Sequence, residues 1–457
     1  MFKYTKRILG VGLASLMAVS AFAGCGGGNT SSTDSTGSDA PASSGGSSTA
    51  TAKQLTIDDI MADASLAMGD EDNVSLKVWG PQDSLELLKK QCNDFVENFK
   101  KLGKTIKIEC VAQGESDAAT NVKTDPAKAA DVFGFASDQG LDLFKGNYVL
   151  PVRASFVDAL KNDTLEGAYS TVLFKGADDE SEIPYAYPET GDNGYALFYD
   201  KRELTDDDVK TMEGIMKVCN DKKKKFSFNL GDGFYGCVIP FTGGGTLGLS
   251  EDMSVMELNY DYEKVNAVAK AFADLCSTSD YFKDENVNQT LVSGFKNGTH
   301  IAGVVGSWKI KDIEKVLGEN MGVVKLPTIN VGGEDKQLIS IFGYKNIGVN
   351  AKTKYPLTSQ SLALYLTSEA AQKERCEEIG WGPSNKKLSE SELVTGNVAL
   401  SAIYEQQKYS LPQINILTAW WTPTGTYGAY IVNPDKKHDD KTMKEQYDNM
   451  IENITMQ

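Results

Sequence analysis

Short apolar runs that read as strands alternate with amphipathic stretches that read as helices, and this predicts an α/β fold whose sheets are mainly parallel. Three observations carry that expectation. Val74–Trp79 alternates apolar and polar residues as a half-buried strand does, and Gly80-Pro81 stops it. Leu85, Leu88, Cys92, Phe95, Val96 and Phe99 then recur at helical spacing, and Thr105–Cys110 alternates again, completing a β-α-β unit. From Leu55 to Gln457 the chain runs for about 400 residues, enough for two or three domains.

The later elements follow in order. Asp131–Phe135 reads as a short buried strand, and a helix is expected from Asp138 onward with Leu141, Leu143 and Phe144 on its apolar side. Ile183–Tyr187 and Tyr195–Tyr199 read as strands, Asp261–Leu275 as an amphipathic helix, and Ile301–Val305 and Gly322–Pro327 as further strands. Pro356–Leu366 and Glu369–Ile379 read as helices, with Pro356 suited to a first helical position. Lys222–Lys225 reads as a solvated helix end or turn. Gly243, Gly244, Gly245 and Gly248 are followed by no Gly-Lys-Ser/Thr, so they read as a loop at a domain face and not as a phosphate cradle.

The N-terminus carries an address. Lys3, Lys6 and Arg7 precede an apolar run from Ile8 to about Phe22, then Ala23-Gly24-Cys25. That is the layout of a secretory signal peptide. The alternative is a membrane anchor, but the run is about 15 residues, short of the ~20 that a spanning helix needs. Cleavage before Cys25 would remove residues 1–24 with their three basic groups and no acid, taking the formal charge from −17 to −20. So acidic a surface repels nucleic acid and anionic lipid head groups but tolerates a neutral ligand. Residues 25–54 are rich in Ser, Gly and Thr and cannot bury enough to fold, so they read as a disordered tether spanning roughly 30 Å. Whether Leu55–Asp72 packs on the domain or extends the stalk is open from sequence.

The remaining six cysteines, at 92, 110, 219, 237, 276 and 376, are widely spaced with no CxxC pair, so free buried thiols are expected and no zinc site. His300 and His438 are the only histidines, which argues against triad hydrolases, although paired carboxylates such as Asp138 and Asp192 could still serve a glycosidase. No cofactor is expected.

Several segments occur in an order that resembles the extracellular solute-binding proteins of ABC importers, and within them the maltose/maltodextrin-binding lipoproteins of Gram-positive bacteria. They are Val78-Trp79-Gly80, Asp131–Gln139, Tyr187–Lys201, and Phe295-Lys296-Asn297-Gly298 leading to Gly306-Ser307-Trp308. Leu326-Pro327, Gly348–Ala351 and Pro412-Gln413-Ile414 leading to Ala419-Trp420-Trp421 follow. Ala23-Gly24-Cys25 resembles a lipobox, with Phe22 in the place usually held by Leu; the likeness implies a diacylglycerol on the Cys25 sulfur and residence on the outer face of the cytoplasmic membrane.

The resemblance implies a periplasmic-binding-protein-like fold of two discontinuous lobes joined by a multi-stranded hinge. One lobe would comprise residues 55–192 and 343–385, the other 193–342 and 386–457. It also implies a monomer that captures malto-oligosaccharides between the lobes and hands them to the transmembrane subunits of a permease, without chemistry. Another neutral oligosaccharide is the alternative ligand. Sugar faces need aromatic plates and sugar hydroxyls need polar partners. By alignment with the family, Phe135, Trp308, Trp420 and Trp421 are the candidate plates, on opposing halves of the cleft. Gln82, Asp83, Asp138, Gln139, Asp232, Phe234 and Tyr235 are further candidates. At the hinge one extra residue between Pro188 and Tyr199 leaves both Asp192 and Asn193 as candidates for a single role.

Overall fold

The computed structural model describes residues 56–71, 73–176, 181–250 and 253–455. The segments expected as signal peptide and tether, with Cys25, lie outside the described residues. Among the described residues no helix is long and apolar enough to cross a membrane.

Two sheets, each with its own hydrophobic core, build the two lobes. Through the first lobe the strand order is Lys107–Ala112, Ser75–Gly80, Val132–Ala136 and Ser340–Val349, with Tyr187–Asn193 also paired to Ser340–Val349; Ser410–Pro412 joins that long strand at its other end, Ser340–Phe342, where the second core packs. The β-α-β unit is present: Ser75–Gly80 and Lys107–Ala112 pair in parallel, and the helix Leu85–Lys101 between them buries Leu85, Cys92, Phe95 and Phe99. In the second lobe the order is Phe282–Lys283, Lys225–Ser227, His300–Gly306, Tyr195–Asp200 and Met321–Val324. The expectation of mainly parallel sheets is only half met: the first sheet has three parallel pairs and two antiparallel ones, and the second has two of each, because Ser340–Val349 runs antiparallel to Val132–Ala136 and Tyr187–Asn193, and Tyr195–Asp200 runs antiparallel to both its neighbours.

Those strands also carry the chain between cores. Tyr187 packs in the first cluster and Tyr195 in the second. Within Ser340–Val349, Ile341, Phe342 and Tyr344 belong to the second cluster, and Ile347 and Val349 to the first. Asn193 pairs with Gly343 where the two strands pass each other. A third passage comes later: Ser384 and Asn385 still bond to Leu165 and Thr164, whereas Val394 packs in the second cluster.

Helix ends follow their capping residues. The Asp261 carboxylate accepts from the N–H groups of Glu263 and Lys264 at the start of Tyr262–Ser277. Pro356 opens the helix Pro356–Leu366, and the Glu71 carboxylate accepts from the N–H groups of Leu357 and Thr358. This joins the segment before Val74 to the first lobe, as does the helix Ile57–Asp70, which puts Ile60, Met61 and Ala64 into the first core. Lys222 ends the helix Met212–Lys222, and Lys222 and Lys224 pair with Glu203.

Some boundaries differ from the sequence reading. Ile183–Tyr187 is not one strand: Ile183–Pro184 pairs with Leu173–Phe174, and the longer strand starts at Tyr187. Pro184 has no N–H with which to extend a ladder. The strand expected over Gly322–Pro327 stops at Val324. Gly248 lies on the strand Thr246–Leu249, in a hairpin with Met256–Asn259, while Gly243–Gly245 form a turn before it. All six described cysteines are free, and only Cys110 is not fully buried.

Candidate functional site

A cleft of about 520 Å³ lies between the two lobes. One wall is aromatic and comes from the second lobe. Trp308 follows the strand His300–Gly306, Phe234 sits on the short helix Gly233–Gly236, and Trp421 opens the helix Trp421–Ile431. The Phe234 ring centroid lies 6.0 Å from that of Trp308 and 6.5 Å from that of Trp421, so the three rings form a continuous arc. All three are half-buried, which leaves ring surface open to the cleft. Trp308 is oriented by its indole N–H, which donates to Asn288 Oδ1 at 2.7 Å. Its ring folds back over Gly306, where a Cβ would sit 2.1 Å from the indole; only glycine admits that approach. Tyr235 lines the cleft behind Phe234.

The opposite wall is polar and comes from the first lobe. Asp138 and Gln139 sit on the turn after the strand Val132–Ala136. The Gln413 amide ties this turn to the hinge: its Nε2 donates to Asp138 Oδ1 at 2.9 Å, and its Oε1 accepts from Asn193 Nδ2 at 2.8 Å. Burial pushes the Asp138 carboxyl up to about 7, against the opposing pull of its own backbone amide, Gln413 and Trp421. Gln139 Oε1 is buried in the cleft wall with no hydrogen-bond partner among the described residues, an acceptor whose unmet bond is costly unless water fills it. Burial likewise raises the Asp232 carboxyl, whose Oδ1 accepts from the Phe234 N–H at 2.9 Å.

The floor holds a cation. Lys345, on the hinge strand, is paired with Glu115 at 3.0 Å, and its Nζ lies 3.9 Å from the centroid of the Trp381 ring. Burial opposes its charge, but Glu115, Asp192 and Glu189 outweigh that and hold the ammonium above its usual value. At the mouth, Asp83 of the first lobe meets Lys309 of the second at 3.1 Å.

Of the residues nominated from sequence, Asp83, Asp138, Gln139, Asn193, Asp232, Phe234, Tyr235, Trp308 and Trp421 line this one cleft. Four do not. Phe135 shares a strand face with Phe133, their centroids 5.9 Å apart, and is buried in the first core because this strand is covered on both faces. Trp420 is fully buried, stacked on Phe241 with its N–H donating to Tyr260. Asp192 turns away from the cleft, its Oδ2 accepting from the Gly382 N–H at 2.7 Å, so Asn193 is the hinge residue that faces in. Gln82 is exposed outside the lining. The nominated opposing ring, Phe135, is therefore corrected: the arc of Phe234, Trp308 and Trp421 lies on the second lobe, and a further ring in the lining is Trp381, on the floor beside Lys345. Sequence reasoning missed Glu115, Lys345, Trp381 and Gln413. Gln413 stood inside a noted motif, and Trp381 sits in a Gly-Trp-Gly-Pro stretch that could have drawn attention.

With this geometry in hand, the comparisons define the class of protein. Residues 94–402 match the family described as bacterial extracellular solute-binding protein, and the chain belongs to that family. Some of the proteins it resembles are named for sugars. It is 29% identical over 241 residues to the galactooligosaccharide-binding protein of Bacillus subtilis (strain 168), covering 50% of this chain and 56% of the relative; the match thus spans little more than half of that protein. A solved structure with acarbose aligns at a TM-score of 0.73 and 29% identity, covering 84% of this chain and 99% of the other. The maltodextrin-binding protein MalE1 from L. casei BL23, solved without ligand, shares the two-lobed fold at a TM-score of 0.68 and 22% identity, over 84% of this chain and 99% of its own.

Proposed function

We propose that this protein is an oligosaccharide receptor of an ABC importer, held on the outer face of the cytoplasmic membrane by a lipid on Cys25. The observation that carries this reading is the facing of two unlike walls across one cleft. An arc of open rings offers surface for the C–H faces of sugar rings, and Asp138, Gln139 and Asn193 offer partners for hydroxyl groups. Lobes divided at 192/193, 342/343 and 385/386 would put Asp138 and Gln139 on one side and the ring arc on the other, with Asn193 at the crossing, so a bound sugar touches both sides only when the cleft is shut. It then favours the closed form by the difference in contact energy, and the permease reads that form.

The ligand proposed first is an α-linked gluco-oligosaccharide, supported by the fold shared with maltodextrin binders. A galacto-oligosaccharide is the second reading, favoured by the Bacillus subtilis relative. Glycosidase chemistry is disfavoured, because the Asp192 carboxylate points away from the cleft and leaves Asp138 without the nominated partner. Titration calorimetry with maltotriose and with a β-galactotriose tests the choice. Heat and tryptophan quenching with maltotriose are expected; response to the galactoside alone would replace the ligand, and response to neither would overturn the receptor reading.

A further inference from the structure

A second concavity opens beside the cleft on the second lobe. It has a volume of about 490 Å³, against about 520 Å³ for the cleft, and Thr418 and Thr422 line both. It runs between the helix Trp421–Ile431 and the C-terminal helix Asp440–Thr455. The C-terminal helix is heavily charged, carrying Asp440, Lys441, Lys444, Glu445, Asp448 and Glu452. None of these lines the groove. Its groove face is instead Gln446, Asn449, Met450 and Asn453, the spacing of one helical stripe. Thr422 and Thr426 face them, also one turn apart. Charge is thus kept off the face that this helix turns to the groove. In its wall Tyr427 is buried at 2% exposure, and its hydroxyl has no hydrogen-bond partner among the described residues.

We infer that this groove is an outer subsite which takes the next units of an oligosaccharide whose first units fill the cleft. Uncharged amides and hydroxyls match sugar hydroxyls without the desolvation cost of a charge, and the shared threonines give a chain a continuous path past Trp421. The Tyr427 hydroxyl lies buried beneath this surface, so its unmet bond falls to a bridging water rather than to the sugar itself. The groove would therefore set the preferred chain length. This inference rests on the receptor reading.

The test measures affinity of the full chain for sugars of two to seven units, in both the α-1,4-glucoside and β-galactoside series. The variants are Thr426→Arg and Asn449→Arg, both at exposed positions. In the unmodified protein, affinity should rise with length beyond the units the cleft holds. Each variant should lose about tenfold for the longest member, the loss of one or two hydrogen bonds, with the disaccharide and trisaccharide unaffected. Normal binding of the short members also shows that the variants are folded. If short sugars bind and neither length nor these variants alters affinity, the outer subsite is overturned while the receptor stands. If no member of either series binds the unmodified protein, both readings fall.

Discussion

Trp420 and Trp421 are adjacent, yet they do opposite things. At the start of a helix successive side chains diverge by about 100°, so one ring enters the core against Phe241 while its neighbour faces the cleft. Trp420→Ala should cost about 3–5 kcal/mol of stability, seen as a lower denaturation midpoint. Trp421→Ala should leave the midpoint nearly unchanged and weaken sugar binding by about tenfold. The reverse pattern in calorimetry and thermal melts would reject the assignment. Asp138 gives a second residue-scale test. Its folded pKa, raised by burial to about 7, exceeds that of an unfolded aspartate near 4. The folded state then holds the proton more tightly, so stability falls as pH rises from about 4 to 7. Asp138→Asn keeps an acceptor for Gln413 and removes the ionisation, so its melting temperature should fall less over that window; identical pH profiles for both proteins would remove Asp138 as the cause. Asp138 itself was legible, since it sits where a strand ends. Which of two tryptophans is core was not, because the answer lies in helical phase at a turn whose start the sequence leaves open by a residue.

Elements were more legible than residues, because each strand or helix had its own apolar period. The helix Leu85–Lys101 and the strand His300–Gly306 could be read from spacing alone. Lys345 could not. It lies in a ten-residue strand buried along its whole length, and its partner Glu115 is far away in sequence, so nothing local signals a paired buried cation. The hinge also depends on a detail visible only in three dimensions. At Gly343 a Cβ would fall 2.2 Å from Gln413 Oε1, the atom that accepts from Asn193. Gly343→Ala must displace that amide, and because the Gln413 Cβ would also lie only 2.9 Å away, the whole residue must shift. Gln413 would then no longer hold Asp138 and Asn193 together. Binding should weaken by about threefold to tenfold, from the loss of up to two hydrogen bonds, with a lower melting midpoint from the forced shift of Gln413. Undiminished sugar affinity in titration calorimetry would show that the Gln413 bridge does not matter for the site.

At the scale of the whole molecule, two lobes were anticipated from the order of motifs, and which groups bridge them was not. Across the mouth Lys309 reaches Asp83, and further in Gln413 holds Asp138. Opening must break such contacts, and a sugar gripped from both sides must keep them. The ion pair is half exposed on the Asp83 side, and pairs of that kind contribute about 0–1 kcal/mol. Lys309→Ala is therefore expected to weaken sugar binding by no more than about fivefold, and to lessen the loss of affinity that added salt causes in the unmodified protein. Small-angle X-ray scattering supplies the global readout: saturating sugar should reduce the radius of gyration of both proteins, because the ring arc and the polar wall still draw the lobes together without the lysine. An unchanged radius in the unmodified protein would reject closure as the signal. A reduction lost only in Lys309→Ala would make the ion pair, rather than the sugar, the principal force that shuts the cleft.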